Sequence, residues 1–352
     1  MKAGIAGAGL VGRLLALQLI KSGWQVTVFD RDDTAGNLSC AMTAAGMLAP
    51  LSEIENSDHT IYELGEYSLK QWPHILKQLN QSVYFQQNGS LITAHPQDHE
   101  ELYRYRALMQ RKLTQHDPMC QILHHEEILA LEPEIQTHTA LFFPSEGQLA
   151  TQELMTALHS TLLEYKVRWH EKTHVTAVTP YKISTDDSTK TFDMVFDCRG
   201  LGAKSNFSTL RGIRGEIIWL HAPAVTIRRP VRLLHPRYRL YIVPRPNHIY
   251  IIGSSEIESE DMSEISVRST LEFLSAAYSL HAGFVEARIL KTLVNCRPAL
   301  PNNLPEIKYS PGMMAINGLY RHGFLIAPAL IDNAMKILTS KELSNAQHYT
   351  QQ

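Results

Sequence analysis

Gly7-Ala8-Gly9-Leu10-Val11-Gly12 lies between an apolar tetrapeptide, Ala3-Gly4-Ile5-Ala6, and an apolar run through Leu14, Leu15, Leu17 and Ile20. The reading of this stretch decides the fold. Strand, tight glycine turn and helix follow one another, and the spacing is G-x-G-x-x-G. Gly7 permits the turn, Gly9 lets a backbone approach a pyrophosphate, and Gly12 lets the helix pack on the strand. Leu10 and Val11 open the helix, whose N-terminal amides and positive dipole end suit a phosphate. Gly23 stands where a C-terminal glycine cap belongs. Val26-Thr27-Val28-Phe29 then reads as a second buried strand ending at Asp30. Asp30 lies 18 residues beyond Gly12, where a carboxylate accepts hydrogen bonds from ribose hydroxyls. Arg31 follows as a candidate cofactor contact; its alternative is a solvated charge at a strand end. The fingerprint predicts a dinucleotide site and does not separate NAD from FAD.

Composition narrows the class. The chain has 352 residues, 44% of them hydrophobic, enough for one large domain or two interleaved ones. With 33 basic and 35 acidic residues the formal charge is -2, so no basic excess recommends nucleic acid. Cys40, Cys120, Cys198 and Cys296 are far apart and form no CxxC pair. Free thiols fit a reducing cytosol, and a cytoplasmic location is expected. The 17 histidines have no ligand spacing, and no metal is assigned. Glycines break the apolar N-terminus, which argues against a signal peptide. No run of 18 apolar residues predicts a membrane span.

Along the chain, residues 60–80 read as a helix that Pro73 kinks or restarts. Residues 83–94 read as extended, and 98–113 as a charged helix. Residues 151–165 read as a helix with Thr151 as N-cap. Strands are expected at 175–178 and 192–196. Residues 216–220, 240–243 and 249–252 are β-rich, with Pro246-Asn247 between the last two. A helix is expected at 267–280 and a strand at 313–317. A parallel start followed by a later antiparallel sheet predicts an α/β beginning, α+β overall, in two interleaved domains.

Two further segments carry a resemblance: Ala41-Met42-Thr43-Ala44-Ala45-Gly46-Met47-Leu48-Ala49-Pro50, and Gly318-Leu319-Tyr320-Arg321-His322-Gly323-Phe324-Leu325-Ile326-Ala327-Pro328. With the fingerprint, they resemble the D-amino-acid-oxidase-like family of FAD-dependent oxidoreductases, and within it the glycine oxidases of thiamine biosynthesis. Arg214-Gly215-Glu216, Tyr241-Ile242-Val243-Pro244-Arg245, Gly253-Ser254-Ser255-Glu256 and Arg297-Pro298-Ala299-Leu300-Pro301 match too, in the same order.

The resemblance implies FAD, bound non-covalently, in a Rossmann-like domain of residues 1–82, 141–211 and 301–352. An antiparallel-sheet substrate domain would take 83–140 and 212–300. It implies that Gly7, Gly9 and Gly12 cradle the pyrophosphate and that Asp30 holds the ribose. Ala44, Ala45, Gly46 and Met47 would border the flavin, and Val175 would present backbone to the adenine. Gly318, His322, Gly323, Phe324 and Leu325 would line the flavin's pyrimidine edge. Arg297 and Tyr241 would hold a substrate carboxylate, with Arg321 near the reacting centre. A surface ion pair is the alternative role for Arg297, and core packing for Tyr241. Three departures stand out: Arg199 where small residues are usual, Asn302 in place of an acid, and Arg239 two residues before Tyr241.

The function implied is oxidative deamination of glycine, sarcosine or a small D-amino acid. A hydride would pass to flavin N5, and oxygen would return the electrons as hydrogen peroxide. The alternatives are a dehydrogenase of the same family serving a quinone or carrier, and a non-enzymatic flavin-binding assembly protein. A homo-oligomer is compatible with the sequence.

Overall fold

The computed structural model describes residues 1–33, 36–113, 120–235 and 239–349, without the side chains of Asn56, Arg239 and 341–349. A six-stranded sheet runs in the order Glu306–Ser310, Met313–Asn317, Met194–Asp197, Lys2–Ala6, Gln25–Phe29, Arg168–His170. Every neighbouring pair is parallel except the first. Ile5 sits between Val28 and Phe196. Strands covered on both faces must be apolar throughout. One face packs on helices Leu10–Lys21, Thr151–Glu164 and Gly323–Tyr349 through Leu14, Leu15, Leu154, Leu158, Ile326 and Leu330. On the other face, Ala6, Phe29 and Val195 meet Val175, Val178 and Ile183 of a three-stranded antiparallel sheet.

A nine-stranded sheet forms the second layer. Its order is Ile257–Glu258, Arg211–His221, Ile249–Gly253, Arg239–Arg245, Val231–Leu234, Ser90–Ala94, Thr139–Phe143, Gln121–His124, and Arg288–Ala299 also pairs with Arg211–His221. The pairs are antiparallel except for Val231–Leu234 beside Ser90–Ala94. Period-two alternation divides its faces. Leu240, Ile242, Ile252 and Ile218 bury against helix Val267–Leu280. Ile217, Val243 and Ile251 face the other way and pack on Ala45. Two prolines sit where a paired strand lies on one side only among the described residues. Pro244 lies beyond Ile242, the last residue paired with Val231–Leu234. Pro298 lies on Arg288–Ala299, which pairs with Arg211–His221.

Several expectations hold, among them helix Val267–Leu280 and strand Met313–Asn317. Three readings change. Helix His59–Leu76 continues through Pro73 without a restart. Pro73 falls in its last turn, where the Lys77 amide still reaches the Pro73 carbonyl at 3.3 Å. Thr151 is not the N-cap of its helix: Ala150 is, and the Thr151 hydroxyl donates to the Ala44 carbonyl at 2.9 Å. Strand Arg288–Ala299, not read from the sequence, is the longest of the sheet's strands. Among the described residues no helix is long and apolar enough to cross a membrane, and no group of three or more His, Cys, Asp or Glu could hold a metal.

Candidate functional site

A cavity of about 1640 Å³ lies between the carboxyl ends of the parallel strands and the face of the nine-stranded sheet that carries Ile217 and Tyr241. Crevices at that end of an open parallel sheet are where ligands bind. Gly7 turns the chain with φ +97°, and a Cβ there would lie 2.5 Å from the Cys198 carbonyl oxygen. Gly9 ends the turn as N-cap of helix Leu10–Lys21, with no side chain capping the helix amides. A Cβ on Gly9 would meet nothing closer than the Ser39 hydroxyl at 3.3 Å, so the space above it is open to the cavity. Leu10 and Val11 line the same wall. Asp30 accepts hydrogen bonds from the Ala8 amide and, at 2.8 Å, from the Asp32 amide. Its carboxylate is thereby fixed at the lip of the cavity. Arg31 is exposed at that lip.

The Ala44–Met47 segment forms the next wall. Its carbonyls are turned back into the protein. Ala44 accepts from the Thr151 hydroxyl at 2.9 Å, Ala45 from Arg245 at 2.5 Å, and Gly46 from the Leu149 amide at 2.9 Å. From the opposite side, the start of helix Gly323–Tyr349 enters the lining, with His322, Gly323, Phe324 and Leu325. Gly318 is not in the lining: it turns the chain with φ +78° beside Leu300 and the Leu304 carbonyl. A Cβ on Gly323 would meet nothing within 4 Å. Burial pushes the His322 imidazole down to about 4, so it is neutral at neutral pH. Two helix N-termini, an oriented acid and two open glycines thus converge on one cleft. These features fit a phosphate-bearing dinucleotide such as FAD.

Val175 is not in the lining. Its carbonyl accepts from Arg199 at 2.9 Å, and its side chain is buried in the sheet layer behind. Arg199 itself is neutralised by two bonds to Asp197, both 2.8 Å. The bulky residue therefore folds back on its own strand end. The thiol of Cys296 points toward the Ser259 carbonyl, 3.6 Å away.

Across the cavity stands the face of the nine-stranded sheet. Tyr241 points into the cavity while Leu240 and Ile242 face the helix side. Burial raises the Tyr241 hydroxyl above its ordinary value, so it stays a donor. Arg297 lies over Gly215, where a Cβ would come within 2.3 Å of the guanidinium. The guanidinium donates to the Ser254 hydroxyl at 2.9 Å and the Ser255 carbonyl at 3.1 Å. It makes no ion pair with a carboxylate among the described residues.

Arg321 differs. It bonds Glu53 at 2.5 Å and Glu256 at 3.0 Å. Arg232 donates to the other oxygen of Glu53 and, at 2.8 Å, to the Ser52 carbonyl. Burial works to raise the Glu53 carboxyl, yet Arg232 and Arg321 outweigh it and hold the group far below its usual range. Tyr320 donates to Glu256. Glu53 and Arg232 were not singled out from the sequence, although Glu53 falls just beyond the Ala41–Pro50 run; Ser254 and Glu256 stood in a matching segment but were given no role. The side chain of Arg239 lies outside the described residues.

The family model described as DAO, FAD dependent oxidoreductase, matches residues 2–331. A Rhizobium etli protein provisionally named thiamine biosynthesis oxidoreductase ThiO is 34% identical over 340 residues, 96% of each chain. The solved glycine oxidase of Bacillus cereus superposes with a TM-score of 0.83 at 19% identity, covering 97% of this chain and 95% of that one. That of Geobacillus kaustophilus gives 0.80 at 21% identity, over 94% and 92%. The structural likenesses speak for the fold; the sequence matches speak for the family and agree with the motif resemblance. This chain belongs to the DAO family of FAD-dependent oxidoreductases and is an FAD-dependent enzyme.

Proposed function

We propose that this enzyme oxidises a small amino acid, glycine foremost, to its imine, which hydrolyses to an oxo acid and ammonia. One observation carries the reading. Arg297 is a part-buried guanidinium at the cavity whose hydrogen-bond partners are all neutral oxygens. The other buried arginines beside that end of the cavity, Arg232 and Arg321, are committed to Glu53 and Glu256. Arg297 is thus the cation left for a substrate carboxylate, which its planar fork grips in two bonds. Tyr241 donates a further hydrogen bond, and Ser254 sets the height of the guanidinium.

The chemistry FAD supplies when bound is two-electron acceptance, a hydride equivalent taken at N5 and passed to oxygen as hydrogen peroxide. Residues 1–82, 141–211 and 301–352 form the cofactor part in this reading, and 83–140 with 212–300 the substrate part. Gly7 and Gly9 would hold the pyrophosphate, with Gly12 packed beneath the Gly7 carbonyl to shape that turn, Asp30 would hold the ribose, and the 44–47 and 318–325 segments the flavin. Attachment is non-covalent, since the Cys296 thiol is turned to backbone carbonyls and burial raises it above its ordinary value. A substrate amine bound neutral requires no side-chain base. The name of the Rhizobium etli relative supports a place in thiamine supply.

Anaerobic bleaching of the flavin by a panel of amino acids tests the proposal. Glycine, sarcosine or D-alanine should bleach it faster than D-phenylalanine, and peroxide should appear on aeration. Bleaching by none of them rejects the reading.

A further inference from the structure

Arg245 ends the strand that carries Tyr241, and it is buried, 8% exposed. Its guanidinium donates to the Ala45 carbonyl at 2.5 Å, the Leu149 carbonyl at 2.8 Å, the Gln148 side-chain oxygen at 2.7 Å and the Pro244 carbonyl at 2.9 Å. It lies over the Tyr84 ring, 5.8 Å from the centroid. All of these partners are neutral. The carboxylate of Glu153 acts on it from a distance and is itself bonded to the Tyr84 amide at 2.8 Å.

The consequence runs through the backbone. In a trans peptide the N–H points opposite to the C=O. Arg245 holds the Ala45 carbonyl on the side away from the cavity, and so directs the Gly46 amide toward it. Thr151 does the same for the Ala44 carbonyl and the Ala45 amide. Neither amide has a hydrogen-bond acceptor among the described residues. Ala45 and Gly46 line the cleft, whereas Arg245 and Thr151 stand behind it. The arrangement is two aimed backbone donors with a desolvated positive charge one peptide behind them.

We propose that Arg245 is a positioning residue for the cofactor cleft, aiming the Gly46 amide at bound FAD and lending a charge without a direct ion-pair contact to favour the reduced, electron-richer cofactor. A charge behind a dry wall is weakly screened and acts at short range more strongly than in water. The inference rests on FAD binding and is independent of the substrate.

Sulfite is the probe. It adds to oxidised flavin and leaves the ring anionic, so its affinity reports stabilisation of negative charge without any substrate. Arg245→Met should weaken sulfite binding by about tenfold or more and lower the flavin midpoint potential. Gln148→Glu serves where Arg245→Met does not hold FAD. It keeps the shape of the site and places a carboxylate against the guanidinium, and it should shift both readouts in the same direction. Arg245→Lys should restore part of the sulfite affinity lost in Arg245→Met. Wild-type sulfite affinity and potential in a folded, FAD-loaded Arg245→Met or Gln148→Glu protein would overturn the proposal and leave Arg245 a staple of the fold.

Discussion

Gly7 and Gly12 are in backbone contact across the first turn: a Cβ on Gly12 would lie 1.9 Å from the Gly7 carbonyl oxygen. No rotamer relieves such a clash, because backbone is on both sides. Gly9 has no comparable neighbour. The two glycines should therefore fail differently. Gly12→Ala should destabilise the apoprotein by about 3 kcal/mol, the upper range for overpacking. Gly9→Ala should melt like wild type as apoprotein yet bind FAD about tenfold or more weakly, since its methyl occupies the open cradle. Thermal melts of the two apoproteins, with FAD titrations, check this.

Arg297→Ala should leave FAD bound and lower kcat/KM for the preferred amino acid. Removing the partner of a buried charge costs about 2–5 kcal/mol. That corresponds to about 30-fold to several thousandfold. Arg297→Lys should recover a part, because an ammonium lacks the planar fork. An amine without a carboxylate should be turned over equally poorly by both proteins. Near-normal kcat/KM in Arg297→Ala would make the residue structural.

Glu53→Ala strips Arg232 and Arg321 of a shared carboxylate. Breaking a buried ion pair from one side costs about 3 kcal/mol or more. The Glu53 carboxyl is depressed in the fold, so its contribution is present above its unfolded pKa and is lost only as pH falls through the depressed value. The stability gap between wild type and Glu53→Ala should stay level from pH 6 to 8. Urea melts across that range measure it.

Glu146 is expected to behave in the opposite sense. It is fully buried and accepts from the Ser52 amide at 2.7 Å, the Ser52 hydroxyl at 2.8 Å and the Ser90 hydroxyl. Burial pushes its carboxyl up to about 7. Between the unfolded value and that one the native state holds the extra proton, so this group makes stability fall as pH rises from about 4.5 to 7. Glu146→Gln removes that term. The melting temperature of the variant minus that of wild type should rise over this interval and level off above it.

Some of this was legible from the residues alone. The G-x-G-x-x-G spacing with Asp30 is a local pattern, and strand, turn and helix there are made by neighbours in sequence. Helix Val267–Leu280 was equally readable, because its apolar period is internal to it. The short polar strands at the sheet margins were not. Gln121–His124 and Thr189–Thr191 have little apolar pattern of their own and are strands because a partner offers a ladder. Strand Arg288–Ala299 was hidden for a related reason: it carries a proline and charges, and long-range pairing with Arg211–His221 makes it a strand.

At the site, residue types were visible and their pairings were not. The sequence by itself determined a dinucleotide fingerprint, and the family resemblance of its motifs nominated Arg297, Arg321 and Tyr241 around it. Tertiary structure alone decided which arginine remains open. Glu53 and Glu256 neutralise Arg321 from 268 and 65 residues away in the chain. Arg297 meets only neutral oxygens, and Arg199 folds back onto Asp197. The physical reason is that turns, caps and periodicity are short-range properties, fixed by a few consecutive residues. The charge a buried guanidinium has left to offer depends on which distant side chains the packed fold brings against it.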